Sequence, residues 1–184
     1  MDPNPTTQKI HHEHWLEFVQ LLNTQIDFRA LRLMDQLRQV SHSILRISEV
    51  SLADAGLSFA KYRILISLMI SEEVEERSDL NPSEISFRQG TSRNTISSLI
   101  RDLENEGFIE RNLDVYDKRK FNIRLTKAGR DIVEIHAGNH LAIIADIFSC
   151  FSEEDLELLS GLLDTLGRNA AAKEQVIGSP SLKK

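Results

Sequence analysis

The residues best suited to chemistry in this chain fall in one stretch, SRNTISSLIRDLENEGFIERNLDVYDKRKFNIRLTKAGR, residues 92–130. Ile96, Leu99, Ile100 and Leu103 recur at i, i+3, i+4 and i+7, the stripe of a helix with one buried face. With that stripe turned inward, the outward face at the helix start carries Arg93, Asn94, Ser97, Ser98 and Arg101. These types can read base edges: arginine bonds guanine bidentately, asparagine does the same for adenine, and small hydroxyls let a helix sit close. The acids Glu104 and Glu106 stand at the far end, away from the N-terminal part through which a reading helix makes its contacts. Taken alone, this face fits a solvated Ser- and Arg-rich helix equally well.

A second feature breaks the tie. Every charged residue from Lys118 to Arg130 is basic: Lys118, Arg119, Lys120, Arg124, Lys127 and Arg130. The first three sit at the tip of a predicted hairpin, where a phosphate backbone or a narrow minor groove would attract them. Asp117, two residues before Arg119, can hold that guanidinium in a fixed direction.

The elements that must position these groups follow from periodicity and punctuation. Trp15, Phe18, Val19 and Leu22 mark a short amphipathic helix. Ile26, Ala30, Leu33, Leu37, Val40, Ile44 and Ile47 alternate steps of four and three, the seam of a long helix that packs along another and stops by Gly56. Ser58 can cap the next helix, in which Tyr62, Leu65, Leu68 and Met69 face inward. NPSEIS then begins a short helix, with Pro82 in its first turn and Glu84 near its positive end, finishing by Gly90. Ser92 caps the reading helix, and Gly107 ends it.

FIER and KFNIRL read as two strands of a hairpin. Thr126 caps a long helix of roughly residues 127–150, and Ser152 with Asp155 starts a last one carrying Leu156, Leu159, Leu163 and Leu166. From Gly167 onward the tail is expected to fray. Two helices joined by a tight turn and followed by a hairpin make a winged helix-turn-helix, mainly α with a small β wing. The expected division is residues 1–56 for an arm and long helix, 57–126 for the winged domain, and 127–184 for the C-terminal helices and a polar tail.

With 22 Lys and Arg against 28 Asp and Glu, the formal net charge is −6, which argues against nucleic-acid binding over the whole surface. The charge is segregated instead: SEEVEERSD, residues 71–79, is mostly acidic and is expected to limit unspecific contact with DNA. No apolar run approaches a membrane span, and MDPNPTTQKIHHEHW has neither a signal core nor a transit-peptide pattern, so a cytoplasmic protein is expected. Cys150 is the sole cysteine, which excludes an internal disulfide; in DIFSCF it reads as an inert buried thiol. A phosphate-binding glycine loop and a nucleophile elbow are both absent from the sequence, which weighs against an enzyme.

The pieces NPSEI, SRNTISSLIRDLENEGFIER, DKR and IRLTKAGR resemble the MarR family of bacterial transcriptional regulators, closely from Leu57 to Arg130. The resemblance implies a homodimer formed through the N- and C-terminal helices, meeting duplex DNA at a pseudo-palindrome, and most often acting as a repressor. It places Arg119 in the minor groove and Arg93, Asn94, Thr95, Ser97 and Ser98 on the recognition helix. Gln89 and Thr91 depart from the pattern, standing where such proteins usually carry apolar residues, and are expected to weaken the small core of the turn or alter it.

The same resemblance implies release by a small molecule between the dimer helices and the winged domain. Phe28, His42, Arg46 and Tyr62 are candidates for that cleft, since an aromatic wall with Arg or His would suit an aromatic or anionic effector. Ordinary packing explains the same residues. A metal-responsive reading rests on His11, His12, His14 and His42, or on His136 and His140 at helical i, i+4 spacing without an obvious third ligand; no metal or other cofactor is expected. A winged-helix protein-interaction module is the other alternative, which would not need Arg119 and Lys120 beside Arg93 and Asn94.

Overall fold

A computed structural model describes Phe18, residues 28–113 and residues 120–178. The chain divides into two units at Val50/Ser51. In the first, helix α1 spans Phe28–Ser51, uninterrupted by glycine or proline. Its expected seam is largely uncovered: Ala30, Leu33, Leu37, Val40 and Ile47 are exposed and Ile44 is half-buried. Phe18 is helical, whereas Trp15, Val19, Leu22, Ile26 and the histidines His11, His12 and His14 lie outside the described residues. A short 3-10 turn, Ala53–Ala55, follows, and Gly56 closes it in the left-handed region at φ 65°.

The second unit is built around α2 (Phe59–Glu73), capped by Ser58, whose side chain accepts from the Lys61 amide. This helix buries Tyr62, Ile64, Leu65 and Leu68 and half-buries Ile66 and Met69, because the other elements pack around it. Helix α3 (Pro82–Gln89) starts from a reciprocal cap. The Asn81 side chain accepts from the amides of Ser83 and Glu84, and the Glu84 carboxylate accepts from the Asn81 amide. Helix α4 (Arg93–Asn105) buries Ile96, Ile100 and Leu103 and half-buries Leu99, as its stripe requires.

Strands β1 (Ile109–Leu113) and β2 (Phe121–Leu125) pair antiparallel, Ile109 opposite Leu125 and Leu113 opposite Phe121. Leu80, in the α2–α3 connection, exchanges both backbone hydrogen bonds with Ile123 and so anchors the base of the hairpin to the helices. Helix α5 (Lys127–Phe148) is capped by Thr126, which also donates to the Gly107 carbonyl at 2.7 Å. Gly129 lets the first turn of α5 lie against β1: a Cβ there would sit 2.0 Å from the Phe108 carbonyl oxygen.

Two expectations are corrected at the C-terminal end. Helix α6 runs Glu153–Gly178 and does not fray at Gly167; Ala170, Ala171 and Ala172 sustain it. Cys150 is exposed, not buried, because α5 ends at Phe148 and the cysteine falls in the turn before α6. Among the described residues no helix is long and apolar enough to cross a membrane.

Candidate nucleic-acid interface

The N-terminal turn of α4 is the centre of the site. Ser92 caps it, accepting from the Thr95 amide at 3.2 Å, and the two hydroxyls lie 2.9 Å apart. Ser97 donates to the Arg93 carbonyl at 2.8 Å. These three hydroxyls therefore hold the helix as well as line its surface. Arg93, Asn94, Ser98 and Arg101 are exposed, and their side chains have no hydrogen-bond or ion-pair partner among the described residues. The side chains whose chemistry suits base edges are thus the ones left available.

The acids at the other end of α4 are engaged. Glu104 pairs with Arg111 of β1 at 2.7 Å, and Glu106 pairs with Lys61 of α2. These pairs tie the helix to the wing and to the central helix. They also offset negative charge that would otherwise face a phosphate backbone.

Much of the basic run is engaged within the protein, which the sequence does not show. Lys120 is exposed just before β2; Lys118 and Arg119, with Asp117, lie outside the described residues. Arg124 pairs across the hairpin with Glu110 at 3.6 Å, and Lys127 pairs with Asp131 at 2.7 Å. Arg130 reaches Glu72 at 2.6 Å and Glu73 at 2.8 Å. The second half of the run is therefore a set of structural ion pairs, and the acidic segment at residues 71–79 supplies two of the carboxylates. Glu75 in the same segment holds Arg88 at 2.6 Å, and that hydrogen bond keeps the Glu75 carboxyl below its usual range.

The turn into α4, expected to be weakened or altered by Gln89 and Thr91, is held by polar contacts. Gln89 Nε2 donates to the Arg63 carbonyl at 3.0 Å and to Ser67 Oγ at 2.9 Å. The Thr91 amide donates to the Ser86 carbonyl, Ser86 Oγ donates back to the Thr91 carbonyl, and Gly90 takes φ 60° to close the turn. The departures at Gln89 and Thr91 change the bonding of the turn without leaving it unsatisfied. No signal in the local sequence points to this bonding, since Arg63 and Ser67 are more than twenty residues away.

The candidate effector and metal residues are dispersed over both units. Phe28 is half-buried on α1, and His42 and Arg46 are exposed on it. Tyr62 is fully buried in the second unit, its ring edge-on to His140 at 5.4 Å. Burial raises the Tyr62 pKa, and its hydroxyl has no partner among the described residues. His140 is buried with Nδ1 3.1 Å from Ser51 Oγ, and desolvation lowers its pKa. It is a packed core histidine. His136 is half-buried on the same helix, and among the described residues no cluster of His, Cys, Asp and Glu forms that could hold a metal.

Residues 55–120 match the model of the MarR family. The chain is 29% identical over 141 residues to the HTH-type transcriptional repressor YetL of Bacillus subtilis, covering 77% of this chain and 82% of that protein. It is 25% identical to the transcriptional repressor MprA of Escherichia coli K12 over 66% of each chain. AbsC, a MarR family transcriptional regulator from Streptomyces coelicolor, superposes with a TM-score of 0.69 at 23% identity, over 80% of this chain and 97% of AbsC. MepR from S. aureus in its complex with DNA superposes at 0.66, also at 23% identity, over 73% and 94%. A helix-turn-helix followed by a paired hairpin, a MarR-family match spanning both, and these superpositions agree: the chain has a MarR-type winged helix-turn-helix fold, and residues 55–120 carry the segment that resembles that family.

Proposed function

We propose that the protein is a homodimeric repressor that recognises a pseudo-palindromic operator and is released from it by a small ligand. The observation that carries the reading is the unpaired set Arg93, Asn94, Ser98 and Arg101 at the N-terminal end of α4, with the acids of that helix engaged elsewhere. Arg93, Asn94 and Arg101 would meet base edges in the major groove; Ser92, Thr95, Ser97 and Ser98 would fit the helix against them and against phosphate. Lys118, Arg119 and Lys120 would take the adjacent minor groove and backbone.

Residues 57–126 would form the reading domain, flanked by dimerisation helices. Support for the dimer is the exposed apolar surface on both flanking segments. Leu33, Met34, Val40 and Val50 on α1, and Leu158, Leu162 and Ile177 on α6, are each more than half exposed in one chain. A two-fold dimer would present two reading helices to half-sites about 10 bp apart. Repression is supported by the kinship with YetL and MprA, both repressors. Release by an aromatic or anionic effector rests on the family likeness.

The test is selection of bound sequences from random duplex DNA at two salt concentrations, with the wild type, Asn94→Ala and Arg119→Ala. Recovery of a palindrome by the wild type, relaxed base preference with Asn94→Ala and general weakening with Arg119→Ala are the expected results. Salt-sensitive binding without sequence preference would reject base readout by α4. Complete absence of binding would favour the protein-interaction reading of the same fold.

A further inference from the structure

Helix α3 is eight residues long and has one fully buried apolar side chain, Ile85. A single apolar contact is non-directional, so it holds α3 against the core without fixing the helix's rotation about that point. The Leu80–Ile123 backbone pairing fixes the chain just before the N-terminus of α3, and three side-chain attachments then set the helix's rotation. Arg77–Glu84 and Arg88–Glu75 are partly exposed ion pairs, weak and sensitive to salt. The third is the Gln89 amide, part-buried, donating to the Arg63 carbonyl and to Ser67 Oγ on α2. The carbonyl can only accept, which fixes the amide's orientation, and Ser67 Oγ itself donates to the same carbonyl at 2.9 Å.

Gln89 is the last residue of α3, and Ser92, three residues on, caps α4. Any rotation of α3 that Gln89 permits is carried through the turn to Arg93 and Asn94. Bidentate hydrogen bonds to a base tolerate little displacement, whereas contacts from long basic side chains to phosphate tolerate more.

We infer that Gln89 is a positioning residue for base readout: its amide, hooked on Arg63 and Ser67 of α2, sets the angle at which the N-terminus of α4 enters the groove. The inference rests on the DNA-reading function proposed above and adds to it the residue that governs specificity without touching DNA.

Gln89→Leu separates this role from packing. It fills the half-buried space and leaves no unpaired donor, and the Arg63 carbonyl keeps its bond from Ser67. Because Arg63 and Ser67 stay bonded to each other, the stability cost is that of one lost net hydrogen bond, a shift of a few degrees in the unfolding temperature. The experiment compares affinities for the operator selected by the wild type and for the same duplex with one half-site base pair changed. Thermal unfolding and the salt dependence of affinity are followed in parallel.

The expected result for Gln89→Leu is an unfolding temperature near the wild type's, an unchanged salt slope, and a discrimination ratio lowered roughly tenfold, the effect of about one good hydrogen bond. Ser67→Ala, which removes one of the two acceptors, should lower the ratio by less. Discrimination equal to the wild type's in a folded Gln89→Leu protein overturns the inference. Should Gln89→Leu unfold, Ser67→Ala decides: reduced discrimination sustains the role of the hook, and wild-type discrimination overturns it. A wild type that selects no sequence removes the DNA-reading function itself, and the inference with it, before any variant is compared.

Discussion

Arg130, in the first turn of α5, places its guanidinium 2.6 Å from the Glu72 carboxylate at the end of α2, across 58 residues of sequence. With Glu73 at 2.8 Å, the pair fastens the helix after the wing to the central helix of the unit. The cation is therefore engaged within the protein. Replacing both acids, Glu72→Gln with Glu73→Gln, should cost no more than about 1 kcal/mol, since Arg130 and Glu72 are about a third exposed, Glu73 is more than half exposed, and all are screened. It should also release Arg130 and raise affinity for unspecific duplex DNA, most at low salt. Denaturant unfolding and binding to a scrambled duplex measure the two effects. Unchanged unspecific affinity would show that the acidic segment does not restrain DNA contact.

The cap of α4 supports both stability and presentation of the reading residues. Ser92→Ala should cost about 1 kcal/mol of unfolding free energy and loosen the first turn that carries Arg93 and Asn94. Ser92→Asp should keep the cap, and with it the stability, while placing a carboxylate at the DNA-facing end and lowering affinity. Unfolding curves and duplex binding for the two variants distinguish capping from contact. Equal affinity of Ser92→Asp and wild type would place Ser92 away from phosphate.

Gly129 marks the closest approach of α5 to the hairpin. Gly129→Ala would put a methyl carbon 2.0 Å from the Phe108 carbonyl oxygen, a backbone atom that cannot rotate away. Overpacking of this kind costs about 1–3 kcal/mol and more than offsets alanine's helix preference of about 1 kcal/mol. The denaturant midpoint should fall with its slope unchanged. A midpoint at or above the wild type's would mean that α5 shifts without penalty.

Stability should depend on pH through His140. Its ring packs against Phe59 and Tyr62 with centroids 5.4 Å away, and burial lowers its pKa from 6.5. The folded state then binds this proton less readily than the unfolded chain. The contribution is intact above 6.5 and is lost as pH falls below that toward the depressed folded value. The unfolding temperature should decline as pH falls below 6.5, and His140→Phe should flatten that decline. A parallel decline in the variant would assign the effect to other groups.

Most of the helices and the hairpin were legible in the chain because their signals are local. The caps at Ser58, Ser92 and Thr126, the stop at Gly107 and the buried stripe of α4 act over a few residues or about two helical turns. Local reading overreached where a residue's surroundings, not its neighbours in sequence, decide the outcome. The apolar context of Cys150 did not bury it, and Gly167 did not end α6, since one glycine costs less than the alanines beyond it return.

The sequence by itself determined the order of elements, which face of α4 is outward and the segregation of charge. Tertiary structure decided which of those charges are spent. Arg124, Lys127 and Arg130 look alike in a basic run, yet each meets a carboxylate, two of them across a strand pair or a helix packing. Gln89 looks like a flaw in an apolar turn until Arg63 and Ser67 come within hydrogen-bond distance. Periodicity encodes which side of an element is buried; whether an exposed or half-buried polar group finds a partner depends on residues brought together only when the chain has folded.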